Sequence, residues 1–137
     1  MSKCAALIVL ILTIPCHAQE RFAAGELKGF SKSPTEHIIV RMHDPLTVSA
    51  VRGTLLFKDH NDPFKDATFE IRGPGTSERI RGAKSDSAGQ FIIRHVPQGT
   101  CAFKATKDGF QSVVGTLIVS KREDRQKTIK IEMTVEV

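Results

Sequence analysis

The densest run of chemistry-bearing side chains is Asp59-His60-Asn61-Asp62, followed by Asp66 and Glu70. Hard cations take oxygen ligands, so carboxylates and an amide at close spacing raise a calcium loop as the first possibility to test. The spacing fails for an EF-hand. Phe64 stands where the sixth residue must be glycine, and Pro63 falls on the third ligand position. A solvated hairpin turn is the expectation, with Asp59, His60, Asn61 and Asp62 retained as loop candidates for binding. His37, His43, His60 and His95 follow no His-x3-His spacing, and Cys101 is the sole cysteine beyond the first sixteen residues. No Gly-x-Ser-x-Gly elbow, P-loop or Rossmann fingerprint occurs, and Gly73-Pro-Gly-Thr-Ser77 lacks the Gly-Lys-Ser/Thr end of a phosphate loop. The sequence therefore predicts no catalytic residue, no cofactor and no metal.

The chain that must position these groups has 137 residues, room for one domain of ordinary size. At 40% hydrophobic and 26% charged it has the composition of a globular protein. Met1 to Ala18 reads as an export signal: Lys3, an apolar run from Ala5 to Ile14, then Pro15-Cys-His-Ala18 with small residues at the cleavage positions. Ten apolar residues in a helix reach roughly 15 Å, about half a bilayer's hydrocarbon thickness, so no transmembrane segment is expected after cleavage. A second reading makes Cys16 the acylated residue of a lipoprotein, against which Pro15 occupies the position a small residue should hold. Cleavage leaves Cys101 alone, so no internal disulfide is expected in an oxidising compartment, secreted or periplasmic. Cys101 alternates with Phe103 and Ala105, which predicts a buried small apolar group.

Residues 19–47 lack periodicity and predict a tether, with 38–42 a candidate extra edge strand. From residue 48 to 137 the pattern is short alternating runs between turns. Val51, Gly53, Leu55 and Phe57 share one face, then Ala67, Phe69 and Ile71. A weaker run, Ser77 to Lys84, is followed by Phe91 and Ile93, by Cys101 to Ala105, and by Gln111 to Val119. The last run alternates Ile129, Ile131, Met133, Val135 and Val137 with polar residues. Turns at intervals of roughly 8–12 residues and one wet face per strand predict an all-β, seven-stranded antiparallel Greek-key sandwich.

Four pieces of this stretch resemble the carboxypeptidase regulatory-like domain family, whose fold is transthyretin-like and carbohydrate-binding-like. Gly53-Thr-Leu leading to Pro63-Phe-Lys-Asp-Ala67-Thr-Phe-Glu-Ile71 resembles the family's opening. Ser85-Asp86-Ser-Ala-Gly89-Gln-Phe91 is similar to its Thr-Asp-x-x-Gly-x-Phe signature. Val96-Pro97-Gln-Gly99-Thr-Cys101 is similar to its Leu-Pro-x-Gly-x-Tyr, and Lys107-Asp-Gly109-Phe110 to its Gly-Tyr corner. Two family tyrosines are thus Cys101 and Phe110 here, which deletes two hydroxyls. The resemblance implies an exported, noncatalytic binding or interaction module that associates with a protein or a cell-envelope component.

Carbohydrate binding is the alternative carried by the fold group, and a small hydrolase on a transthyretin-like fold the remote one. The Tyr-Arg-Gly-Ser ending of the transthyretin-like hydroxyisourate hydrolase is missing, since this chain ends Thr134-Val-Glu-Val137. The net charge of +5 is spread among acids, as in Lys121-Arg-Glu-Asp-Arg125, so no nucleic-acid partner is expected. Eight Phe, no Trp and no Tyr weaken the sugar reading, because sugar-binding faces use exposed rings with a polar handle. Phe57, Phe69, Phe91 and Phe103 are expected inside and Phe110 at a packing corner, leaving Phe22, Phe30 and Phe64 as candidate exposed rings.

Overall fold

The computed structural model describes residues 22–136. The expected signal peptide, Cys16 within it, and Val137 lie outside these residues. The described residues contain no helix long and apolar enough to cross a membrane.

Among the described residues, ten strands form two sheets packed face to face. They are β1 (Ile39–Arg41), β2 (Leu46–Val48), β3 (Val51–Phe57), β4 (Asp62–Pro63), β5 (Thr68–Arg72), β6 (Ile80–Lys84), β7 (Gln90–Ile93), β8 (Gly99–Thr106), β9 (Ser112–Val119) and β10 (Ile129–Met133). The larger sheet runs β1-β9-β8-β5-β6, with β2 also on β9. The smaller runs β10-β3-β4, with β7 also on β3. The chain passes repeatedly between the two sheets, so the architecture is an all-β sandwich.

Two details differ from the expectation of seven antiparallel strands. β3 and β5 to β10 are the seven expected runs, and β1 is the extra edge strand expected at 38–42; β2 and β4 are additional. These two are three and two residues long, too short for an alternation of period two to register. The sheets are also mixed, since β10 lies parallel to β3, and β1 and β2 lie parallel to β9. Alternation reports which face is buried and is silent on strand direction, which the crossovers between sheets decide.

The core lies between the sheets. Leu55, Phe69, Ile71, Phe103, Leu117, Ile129, Ile131 and Met133 are at most 1% exposed. The Phe69 ring stacks on Phe91 at 4.3 Å and on Phe103 at 5.4 Å. Cys101 is free and buried there; burial pushes its thiol pKa up, and the charge of Arg81 offsets only part of that rise. The turn before β7 is closed by Asp86, whose Oδ1 accepts the N–H groups of Ala88 and Gln90, both at 2.9 Å. Gly89 in this turn has φ of 73°, a left-handed value that glycine adopts without strain.

Residues 22–38 depart from the tether reading: they form a strap laid across the outer face of the larger sheet. Arg72 donates to the carbonyls of Glu26 (2.7 Å) and Lys28, with its guanidinium 4.7 Å from the Phe30 ring centre. Arg41 pairs with Glu26 at 2.6 Å and lies over Phe22. Phe30 is consequently buried, and so is Phe64, which meets Phe110 edge-on at 4.4 Å. Neither is the exposed ring that the sequence suggests. The strap has no periodicity to read because its own turns and a few side chains of the sheet, not a ladder, satisfy its backbone.

Candidate functional site

Three places carry polar side chains close together. The first is the hairpin between β3 and β4. Asp59, His60, Asn61 and Asp62 are all exposed, with Asn61 at φ of 52° and the His60 ring 4.8 Å from Phe57. Asp66 and Glu70 do not join them. Asp66 sits at the start of β5 on the Ser85 carbonyl, and Glu70 lies buried beneath the strap. Among the described residues no group of three or more His, Cys, Asp or Glu side chains is placed to hold a metal.

The second place is beneath the strap, and nothing in the sequence pointed to it. Lys104 projects from the outer face of β8, in the position that alternation assigns to a wet side chain. Its Nζ donates to Glu36 Oε1 at 2.8 Å and to the Ser31 carbonyl at 2.7 Å. The side chains of Lys104 and Glu36 are 2% and 3% exposed. The Ser112 hydroxyl donates to Glu36 Oε1, and Glu70 Oε1 accepts the Ser31 N–H at 2.9 Å. A hollow of about 380 Å³ adjoins this group, lined by Leu27, Phe30, Lys32, His37 and Ile39 beside Glu36 and Lys104.

At the end of the strap, Glu136 clamps the two ends of the domain together. Its Oε1 accepts the backbone N–H groups of His37 (2.6 Å) and Ile38 (2.7 Å) and lies 2.8 Å from His37 Nδ1. Burial pushes the Glu136 carboxyl pKa up; those two N–H donors and the charge of His37 outweigh it, leaving the pKa below its ordinary 4.5. A carboxylate with a depressed folded pKa stabilises the fold above its unfolded pKa. That stabilisation is lost as pH falls through the folded pKa. Glu136→Gln should therefore melt below the wild type at neutral pH, and the two melting curves should converge below pH 4.5. A gap that persists unchanged at roughly pH 2 would remove the carboxylate from this role.

The third place is an open groove of about 530 Å³ on the smaller sheet, at edge strand β7. Arg52, Thr54, Lys84, Asp86, Gln90, Ile92 and Thr128 line it, and Ile92 is 45% exposed. Arg52 is held by the Arg125 carbonyl at 2.5 Å. Asp86 Oδ1 is committed to its own turn, and its single negative charge stands against the two cations, Arg52 and Lys84, in the groove. Lys84 closes a stretch from Arg72 that holds four basic residues and one acid, Glu78. Arg52 and Ile92 carry no sequence signal, because each is an outward residue of an ordinary alternating strand.

No protein-family model matches the chain, and no curated protein matches it. Solved structures similar to it include 3-chlorocatechol 1,2-dioxygenase from Rhodococcus opacus 1CP, with a TM-score of 0.46 and 12% identity over 85% of this chain and 70% of that one. Another is chlorocatechol 1,2-dioxygenase from Pseudomonas putida, with a TM-score of 0.40 and 10% identity over 78% and 68% of the two chains. Both are enzymes, so the expectation that this chain is not an enzyme no longer stands. At these scores the likeness assigns it no activity.

Proposed function

We propose that this chain is an exported binding module of carboxypeptidase regulatory-like type that attaches to a protein partner through the groove at β7. The observation carrying the reading is Ile92, a half-exposed apolar side chain between Arg52 and Lys84. An apolar centre flanked by two cations and one carboxylate, a rim of net positive charge, suits an extended protein segment that alternates acidic and apolar residues. The apolar contact supplies affinity and the charges steer the encounter. The export signal and the four family-like motifs support the exported setting. Carbohydrate has less support, since Phe91, the ring that lines the groove, is only 4% exposed and offers no stacking plane.

Anisotropy titrations would test this with labelled peptides of alternating Glu-Val and Lys-Val sequence and with an acidic polysaccharide. The Glu-Val peptide should bind, and binding should weaken as salt rises. The double variant Arg52→Glu/Lys84→Glu should weaken it about tenfold or more, equivalent to about 1.4 kcal/mol. Equal binding of both peptides, or binding of the polysaccharide alone, would refute the reading.

A further inference from the structure

The charged group beneath the strap makes no use of the groove and asks for its own account. Lys104 and Glu70 are directly opposed in the β5–β8 register, on the same face of the sheet. Between them they hold the backbone of Ser31, Glu70 accepting its N–H and Lys104 donating to its C=O. Glu36 closes the group from the other side. An amine and two carboxyls are thus buried together, with Leu27, Phe30 and Ile39 beside them.

We propose that Lys104 and Glu36 condense into an internal amide that staples the strap to the central strand of the larger sheet. Nζ stands 2.8 Å from Oε1, which for an ordinary hydrogen-bond angle puts it roughly 3.5 Å from Cδ, a near-attack separation. Proton transfer within the pair frees the amine lone pair, which attacks Cδ. The Nζ–Cδ bond forms, one Cδ–O bond breaks, and that oxygen leaves with two of the three ammonium protons as water. The third proton stays on the amide nitrogen. An ammonium and a carboxylate become a neutral amide plus water, with no oxidant, reductant or co-reactant consumed.

Each neighbour has a part in that step. Ser31 C=O orients the amine, and the Ser112 hydroxyl donates to the oxygen on which negative charge develops. Glu70, opposite Lys104 in the strand register and bound to the Ser31 N–H, is the carboxylate to which the proposal gives the proton's path from nitrogen to the departing oxygen. Burial excludes the water that would otherwise solvate the amine and the carboxylate, and fixing both groups on a folded scaffold removes the entropic cost of bringing them together. A chain with one free cysteine among its described residues would gain in this way a covalent tie that reductants do not break.

Intact mass spectrometry and peptide mapping of the purified full chain test this, with the amino terminus determined on the same sample. The expected result is a mass lower by one water and a branched peptide joining the Glu36 and Lys104 fragments. A mass equal to the plain residue sum overturns the proposal, as does a water loss that maps elsewhere. Lys104→Ala should restore the full mass; persistence of the loss in that variant also overturns it. Should Lys104→Ala not fold, the wild-type map decides by itself. Glu70→Gln keeps the shape of the side chain and should slow the appearance of the branched peptide at least about tenfold after refolding. An unchanged rate overturns the part given to Glu70.

Discussion

Phe69→Ala is expected to lower the free energy of unfolding by about 3–5 kcal/mol, the largest effect of any single truncation in this core. Phe69 has no exposed surface and stands between two other rings, Phe91 at 4.3 Å and Phe103 at 5.4 Å. Removing it deletes the transfer energy of a whole aromatic side chain and leaves a cavity between two sheets that cannot collapse independently. β5 is hydrogen-bonded on both sides, to β6 and to β8, so its backbone is held in place while the hole opens. Domains of this size have about 5–15 kcal/mol of stability in total, so the loss is a large share of it. A urea titration should show an earlier midpoint with an unchanged slope, and the melting temperature should fall on the order of 15 °C. Phe69→Leu should lose less, since it leaves a smaller cavity. A midpoint for Phe69→Ala within about 1 kcal/mol of wild type would mean that the ring does not occupy the centre of the core.

Gly53→Ala should cost about 3 kcal/mol or more, beyond the usual range for one added methyl group. A Cβ on Gly53 would lie 2.0 Å from the carbonyl oxygen of Ile129 and 2.7 Å from its Cβ. Both clashes involve atoms of β10 that cannot rotate aside. β3 and β10 are in register from Gly53–Ile129 to Phe57–Met133, so relief at one end means parting a ladder. Gly25→Ala is the comparison: Gly25 has a left-handed φ of 81° but open space around it, so only backbone strain of roughly 1 kcal/mol is at stake. Hydrogen exchange separates the two cases. In Gly53→Ala the β10 amides should lose protection well before those of β8. Equal protection across both strands would show that the two backbones are not in contact at Gly53.

Seven of the ten strands were legible in the chain because most bury one face, and alternation along four to eight residues leaves a period of two. β1 was legible as the apolar patch within 38–42; β2 and β4 were not, being too short to carry a period, and the parallel pairing of β10 with β3 leaves no local trace at all. The polar run at Asp59 to Asp62 could be found by eye because its members are adjacent in sequence. Glu36, Glu70 and Lys104 could not, since Lys104 has the alternation of a solvated residue and Glu36 lies in a segment without pattern. Phe30 and Phe64 looked like spare rings for the same reason: their partners, Arg72 and Phe110, come from distant parts of the chain.

The missing tryptophan and tyrosine, the solitary cysteine beyond residue 16 and the alternating runs are one-dimensional facts, and the alternating runs determined an all-β sandwich. Burial of charge is a different kind of fact. Whether Lys104 meets water or a carboxylate depends on what the chain lays over β8, and that cover comes from residues far away in sequence. The same holds for Ile92, whose exposure depends on how the edge of the smaller sheet is left uncovered. Local pattern settles which side of a strand faces out. Only the folded chain settles what, if anything, stands on that side.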